Sequence, residues 1–346
     1  MATISQIRGM MLEEAILRLL QASGYVTIED AANDPTLHNG PAGLEVLGRG
    51  CKHQLDAIAD PKIMLPFTNP QRLVIEAKCY AIDNPIGLSV IRNAVGVLKD
   101  ISEYWIPPTT AGRVSTQRYH YQYSVFSASG YTSEAERYAF AQDIFLIQTQ
   151  KSSFFNPVLK SIRGISHHDF GASSFTDIQI DMGLLRRQIR NLIRNHANSG
   201  LNVNPNAKNK ILSYLDDLER IGWTLLGVIA RRFPIHLVPA PGIDFLDLRD
   251  EILVRIMWDD ESWYIDDQTG RTLFSFDLPI ELFNLYADSG VLSNTQALNL
   301  KAETMNEIQA TAFFDGRIKF FNFKLDLDWL TRVRQRTEDL SQNRKK

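Results

Sequence analysis

Apolar side chains near the start of the chain recur at helical spacing. Between residues 10 and 22 they form one stripe, made by Met11, Ala15, Leu19 and Ala22. A repeat of three to four residues is typical of an amphipathic helix, and the Ser-Gly pair at 23–24 is a suitable place for such a helix to end. The pattern predicts a first helix over residues 10–22.

Two short apolar segments, residues 53–59 and 72–79, carry polar side chains at alternate positions. Alternation with a period of two is typical of β-strands. The residues between the two segments include Pro61, Pro66 and Pro70, and proline interrupts regular structure. We therefore expect two adjacent strands joined by a long loop.

The rest of the first 150 residues alternates between helical and strand patterns. Residues 89–105 place apolar side chains along one helical face, and residues 132–144 begin with a threonine suited to capping a helix. Residues 121–130 and 145–149 have the pattern of strands. The order helix, strands, helix, strand, helix, strand predicts an α/β domain over residues 1–150 with a partly parallel sheet.

The pattern changes after residue 150. Amphipathic segments at 183–197 and 207–222 predict two helices. Strand-like runs follow at 223–230, 252–258, 262–266 and 271–277, and a helical pattern follows at 279–288. Near the end, the Asp315-Gly316 pair favours a tight hairpin turn. Residues 151–346 are therefore expected to form a second, α+β domain with an antiparallel sheet.

Composition agrees with a folded chain of two domains. Of the 346 residues, 44% are hydrophobic and 22% are charged, and domains typically contain about 100–200 residues. The apolar runs fall short of the ~18 residues of a membrane-spanning helix, and the first residues lack the layout of a secretory signal. We expect a cytoplasmic protein with no membrane partner. The net charge of -3 means that nucleic-acid binding would need a local basic surface.

Cysteine and glycine patterns exclude some kinds of site. Cys51 and Cys79 are the only cysteines, too few for a disulfide framework, and they form no CxxC pair that holds zinc. We expect both to be small, partly buried side chains. The glycines within residues 48–50 belong to no phosphate-binding loop pattern, so no nucleotide cofactor is expected.

Three residues could perform metal-dependent chemistry. Glu76 and Lys78 are two positions apart on a predicted strand, so their side chains share one face. If the two strands pair, the carboxylate of Asp56 comes close to that of Glu76. Carboxylate oxygens suit Mg²⁺ or Mn²⁺, and such an ion can activate water and neutralise charge on a phosphodiester. Lys78 could orient or deprotonate that water, or stabilise developing charge. The alternative is a plain ion pair on a solvated strand.

Five blocks in order carry a family resemblance: RGMMLEEAILRLLQASGY, GRGCKHQLDAIAD, VIEAKCY, GLSVIRNAVGVLKDI and YSVFSASGYTSEAERYAFAQDIFLI. With these blocks, residues 1–150 resemble the Mrr-like branch of the PD-(D/E)XK restriction-endonuclease-like superfamily. The resemblance implies a mixed central sheet flanked by helices, with Asp56, Glu76 and Lys78 as the catalytic core. It also implies a metal ligand on the first helix. Glu13 is the first candidate for this ligand and Glu14 the second. The alternative is that both are ordinary solvated glutamates of the helix.

Two residues of the catalytic segments depart from the family pattern. Leu55 stands where the superfamily has proline, and Glu76 stands where relatives in this branch often carry Gln. The first position is structural, and an acid at the second favours metal binding.

The function implied by the resemblance is that of a Mg²⁺-dependent (or Mn²⁺-dependent) deoxyribonuclease, an endonuclease of prokaryotic restriction or anti-phage defence. RNA stays open as a substrate. By analogy, the partner is a second copy of the chain or another protein of a defence system. Residues 151–346 would then serve recognition, sensing or assembly. The alternative from a different class is a catalytically silent nucleic-acid-binding or interaction protein that has kept the fold.

Several polar and basic side chains are candidates for contact with nucleic acid. They are Gln54, Lys52, Arg92, Arg186, Arg187 and Arg190. Gln54 shares the predicted strand face of Asp56, and the last three arginines recur at helical spacing in the strongest basic patch of the chain. For each of them, the alternative is an ordinary solvated side chain.

Overall fold

The computed structural model describes the chain except for residues 33, 42, 65, 105–117, 151, 153, 196–199, 222–223, 231, 245, 260–261, 280–281, 283–293, 315 and 344–346. The helix expected at 279–288 lies outside the described residues apart from positions 279 and 282, and Asp315 of the expected turn also lies outside them. The chain divides into two compact units, Met1–Gly222 and Trp223–Lys346.

The first unit is a mixed α/β structure. Its strands are β1 (Tyr25–Thr27), β2 (Leu37–Gly40), β3 (Gly43–Leu47), β4 (Lys52–Gln54), β5 (Ala57–Pro61), β6 (Gln71–Lys78), β7 (His120–Ser127) and β8 (Ile144–Gln148). Its helices are α1 (Ile4–Ala22), α2 (Leu88–Ser102), α3 (Ser133–Ala141), α4 (Asn156–Gly164), α5 (Met182–Asn195) and α6 (Pro205–Ile221), with a 3-10 turn at His167–Phe170. The first helix starts earlier than predicted because Thr3 and Gln6 form a capping box.

The central sheet has the strand order β1-β5-β6-β7-β8. Strands β5 and β6 are antiparallel, with Ala57 opposite Ile75, whereas β6, β7 and β8 run parallel. Parallel neighbours require a crossover connection, and α2 and α3 lie in the two crossovers. The prediction of a partly parallel sheet is confirmed.

The strand predicted over residues 53–59 is in fact two strands. Strand β4 pairs with β3 in a separate sheet of order β2-β3-β4, while β5 belongs to the central sheet. Asp56 lies at a bend between them, after the buried Leu55. Asp56 is therefore not within a strand and shares no strand face with Gln54. Polar alternation could not reveal the break, because it continues from one strand into the next.

Successive side chains of β6 point to opposite faces of the sheet, as the pleat of a strand requires. Ile75 and Ala77 pack in the core that contains α1, whereas Val74 packs in the core formed with α2 and α3. Glu76 and Lys78 lie on the same face of the sheet as Val74, at the C-terminal end of the strand. The sheet therefore has apolar cores on both faces and charged groups at one end.

The division after residue 222 differs from the boundary predicted at residue 150. Residues 151–222 belong to the first unit because their helices bury apolar side chains against α1. Leu159 of α4, Ile189 of α5 and Ile211 of α6 are fully buried in the same core as Met11 of α1. The changed pattern after residue 150 marks further helices of one unit and not a new domain.

The second unit is built around a closed barrel. Its strands are β9 (Leu225–Ile229), β10 (Phe233–Pro239), β11 (Glu251–Trp258), β12 (Trp263–Asp267), β13 (Thr272–Phe276), β14 (Glu307–Phe314) and β15 (Arg317–Leu325), and its described helices are α7 (Asn294–Thr304) and α8 (Leu327–Asn343). The strand order is β10-β13-β12-β11-β15-β14-β9. Ile256, Phe274 and Phe323 lie in its core.

The barrel corrects the expectation of a wholly antiparallel sheet. Strands β14 and β15 form the expected antiparallel hairpin, but β11 and β15 are parallel. Strand β15 is thus antiparallel to its neighbour β14 and parallel to its other neighbour β11.

Among the described residues, no helix combines the length and the apolar character needed to cross a membrane.

Candidate active site

Asp56 is anchored to β6 by its side chain. Its Oδ2 accepts a hydrogen bond of 2.7 Å from the backbone N–H of Ala77, and its own N–H donates to the carbonyl of Ile75 at 3.1 Å. Because Ala77 lies between Glu76 and Lys78, these bonds fix Asp56 beside both residues. Burial raises the pKa of Asp56, and so does the charge of Glu76, while the Ala77 N–H and the Lys78 ammonium oppose the rise.

Glu76 and Lys78 form an ion pair on β6, with Nζ of Lys78 2.7 Å from Oε1 of Glu76. The hydroxyl of Tyr123 on β7 donates to Oε2 of Glu76 at 3.0 Å. Burial alone would lower the pKa of Lys78, but the Glu76 and Asp56 carboxylates raise it above its ordinary value. Lys78 is therefore a cation in this arrangement, better suited to stabilising negative charge than to accepting a proton.

Glu13 of α1 lies at the edge of the same cluster. Its carboxylate accepts a hydrogen bond from the guanidinium of Arg186 on α5. Burial raises the pKa of Glu13 to about 7; the Arg186 charge opposes this rise, and the charges of Asp56 and Glu14 add to it. The interaction between the Glu13 and Asp56 charges connects the first helix to the ExK strand.

The arginines of α5 contact carboxylates. Nε of Arg190 lies 2.9 Å from Oε2 of Glu14, and Nη1 of Arg190 lies 3.4 Å from Oε2 of Glu29. Nε of Arg186 lies 3.5 Å from Oε1 of Glu14, which is itself only 3% exposed. The predicted phosphate-binding patch is therefore largely internal at Arg186 and Arg190, because α5 packs with this face towards α1.

The other predicted contacts to nucleic acid lie on the surface. Arg187 is exposed on α5, and Lys52 and Gln54 are exposed on β4. Arg92 is exposed on α2, with its guanidinium carbon 5.9 Å from the ring centroid of Tyr138. All four side chains are accessible to solvent, and none lies on β6, which carries Glu76 and Lys78.

The carboxylates of Asp56, Glu76 and Glu13 could supply ligands to a divalent cation. Carboxylate oxygens match the ligand preference of Mg²⁺ and Mn²⁺, but no oxygen of each of these three described residues lies within 4.8 Å of the other two, so a shared ion would have to draw the side chains closer together. Raised pKa values for Asp56 and Glu13 are typical of buried acids that lie near other negative charges. Lys78 and Arg186 provide the compensating positive charges in the described arrangement.

Tyr123 is a site residue that sequence reasoning missed. It lies within a predicted strand, and no motif marks it. Its 1% exposure follows from its place on β7, an interior strand between β6 and β8. The available signal was weak, because a tyrosine in an apolar strand is usually part of the core.

A second polar group was also missed. Cys51 is exposed, contrary to the expectation of a partly buried side chain, whereas Cys79 is half-buried as expected. His53 contacts Asp100 of α2, with Nε2 2.7 Å from Oδ2. The Cys-x-His spacing was the only local signal, because Asp100 comes from a distant helix.

No family model and no curated protein matches the chain. Among solved structures, the chain is similar to the crystal structure of a protein of unknown function, AF1548, with 16% sequence identity and a TM-score of 0.34. This similarity covers 62% of the present chain and 97% of the other. These comparisons assign no function to the chain.

Proposed function

We propose that the chain is a metal-dependent nuclease with a restriction-endonuclease-like core of the Mrr-like branch, and that Asp56, Glu76 and Lys78 form its catalytic centre. One observation carries the proposal: the Asp56 carboxylate accepts a hydrogen bond from Ala77, the residue between Glu76 and Lys78. Two acids and one amine from separate segments are thereby held at the end of one sheet. This is the arrangement expected of a carboxylate-bound divalent cation with an adjacent positive charge.

Each residue has a distinct task in this proposal. Asp56 and Glu76, with Glu13, would hold Mg²⁺ or Mn²⁺, which when bound supplies an activated water and neutralises phosphate charge. Lys78 stabilises the negative charge that develops on the phosphate. Tyr123 donates to Glu76 and so fixes the orientation of that carboxylate.

The proposed substrate is DNA, with RNA as a second outcome of the test. The exposed side chains of Lys52, Gln54, Arg92 and Arg187 are the proposed contacts to the phosphate backbone. Restriction or anti-phage defence is the proposed setting, and a second copy of the chain, or another protein of that system, is the proposed partner. The barrel unit is proposed to serve recognition, sensing or assembly.

The test is cleavage of plasmid DNA, linear DNA and RNA by the purified full chain in Mg²⁺, Mn²⁺ or EDTA. We expect metal-dependent cleavage of at least one DNA substrate and none in EDTA. Asp56→Asn and Lys78→Ala should each lower the rate by about a hundredfold or more. The matched controls Asp83→Asn and Lys160→Ala change exposed residues of the same charge and should retain the wild-type rate.

Cleavage that survives both Asp56→Asn and Lys78→Ala would place the chemistry elsewhere. The second candidate function is nucleic-acid binding without catalysis. The observation that favours it is the pairing of Glu76 with Lys78 and of Glu13 with Arg186, which neutralises the acids without a metal. Binding of DNA with no cleavage in either metal, unchanged in Asp56→Asn, would support this second function.

A further inference from the structure

Three potential metal ligands of different chemical types meet at the start of β4. Sγ of Cys51 lies 3.4 Å from Nε2 of His53, and the same Nε2 lies 2.7 Å from Oδ2 of Asp100. One ligand atom from each residue falls within 4.8 Å of the other two. We propose that these three residues form a second metal site, distinct from the carboxylate centre at Asp56 and Glu76.

The local fold holds these three side chains together before any metal binds. Cys51 and His53 are two positions apart in an extended segment, so their side chains project to the same side. The loop that precedes β4 holds the Asp100 carboxylate. Oδ1 of Asp100 accepts a hydrogen bond from the Gly50 N–H at 2.8 Å, and Oδ2 accepts one from the Cys51 N–H at 3.3 Å. A Cβ at position 48 would clash with the Asp100 carboxylate, so Gly48 permits this approach. Hydrogen bonds that orient a ligand are typical of protein metal sites.

The donor set indicates the class of metal. A thiolate, an imidazole and a carboxylate suit Zn²⁺ and related transition metals, whereas Mg²⁺ requires oxygen ligands. With Zn–S near 2.3 Å and Zn–N near 2.0 Å, tetrahedral geometry puts the sulfur and nitrogen about 3.5 Å apart. The observed 3.4 Å between Sγ and Nε2 matches this value. The shorter contact between His53 and Asp100 would lengthen as the ion replaces their hydrogen bond.

Three protein ligands leave one tetrahedral position for water or an outside ligand. Cys51 is exposed, so this side of the site is open to solvent. Without metal, the same contacts would only tie β4 to α2 through the hydrogen bond between His53 and Asp100. The two interpretations differ in whether the Cys51 sulfur bonds to an ion.

Cobalt distinguishes them, because a cobalt–thiolate bond produces a charge-transfer absorption in the near ultraviolet that a hydrogen bond cannot produce. The full chain, reduced and freed of metal, is titrated with Co²⁺. We expect this absorption to rise to a plateau and to disappear when Zn²⁺ is added. Cys51→Ser should abolish it, and His53→Ala should weaken Co²⁺ binding at least tenfold.

Two control variants localise the signal. Cys79→Ser changes the other cysteine, and Asp56→Asn changes the proposed nuclease centre; both should keep the absorption. The site is overturned if the wild-type chain shows no charge-transfer absorption at excess Co²⁺. It is also overturned if folded Cys51→Ser keeps the absorption or if folded Cys79→Ser loses it. Because Asp56→Asn is tested separately, failure of this site is distinguishable from failure of the nuclease centre.

Discussion

The carboxylate of Glu13 on α1 accepts a hydrogen bond from the guanidinium of Arg186 on α5, although 173 residues separate the two in the chain. Both side chains are largely buried, with exposures of 16% for Glu13 and 29% for Arg186. The Arg186 charge also acts on Asp56. Arg186 therefore neutralises part of the negative charge of the acidic cluster. A divalent cation bound there would have to share the carboxylates with Arg186 or displace its guanidinium.

Removal of this guanidinium should destabilise the metal-free chain. Arg186→Ala leaves Glu13 without its partner in a half-buried place, so we expect a loss of about 1–3 kcal/mol in the free energy of unfolding. Added Mn²⁺ should restore more stability in this variant than in wild type, because the ion supplies the missing charge. Urea unfolding with and without Mn²⁺ measures both effects. Arg187→Ala, at the exposed neighbour, is the control, and an equal loss in the two variants contradicts the prediction.

The raised pKa of Glu13 predicts how stability depends on pH. Its pKa is about 7 in the folded chain, against an ordinary value of 4.5. Between these values the unfolded chain has lost the proton that the folded chain keeps. The contribution of Glu13 to stability is therefore complete below pH of about 4.5, falls as pH rises to about 7 and is lost above that range.

Glu13→Gln removes this titration, so its stability should fall less over the same pH range. Urea midpoints of the metal-free chain, measured at several pH values for wild type and Glu13→Gln, provide the comparison. Parallel curves for the two proteins would show that Glu13 titrates in its ordinary range.

Tyr123 is expected to act through Glu76. Tyr123→Phe keeps the ring and removes the hydroxyl that donates to Glu76. We expect a loss of about 1–2 kcal/mol in stability and a loss of about tenfold or more in Mn²⁺ affinity, as is usual when a partner of a metal ligand is removed. Tyr138→Phe, in the same core, is the control for metal affinity. Unchanged Mn²⁺ binding in Tyr123→Phe would separate this hydroxyl from the site.

The order of elements in the first unit could be predicted because it depends on local patterns. Period-two alternation identified β6, and helical spacing identified α1 and α2. The short strands β2 and β3 could not be predicted, since most of their residues are exposed or half-buried and apolar alternation is weak there. The boundary between the two units could not be predicted from the sequence either, because a helix such as α6 has the same apolar pattern whichever core it packs against.

The ExK part of the candidate site could be proposed from sequence, but its charge compensation could not. Glu76 and Lys78 share a strand face, a relation fixed by spacing alone. The pairing of Arg186 with Glu13 depends on how α5 packs against α1. The three-residue group at Cys51 likewise needs Asp100 from a distant helix, so its local spacing gave only a partial signal.

Arg72 provides a test of the fold that is independent of function. It is 1% exposed, and its Nη2 lies 2.7 Å from Oδ2 of Asp34 and 2.8 Å from Oδ2 of Asp60. Arg72→Met would leave two carboxylates without their partner, so we expect a loss of about 3–5 kcal/mol in the free energy of unfolding. Urea unfolding measures this loss. The exposed control Arg92→Met should lose much less, and equal losses would contradict the ion-pair network.

The most direct test of the proposed catalytic centre is its affinity for Mn²⁺, measured by titration calorimetry. The Cys51→Ser chain is the reference protein, so that the second proposed metal site does not contribute. We predict one bound ion that Mg²⁺ can displace, with affinity at least tenfold weaker when Asp56→Asn or Glu76→Gln is added and unchanged when Asp83→Asn is added. Equal Mn²⁺ affinity in all of these proteins would contradict a shared cation at Asp56 and Glu76.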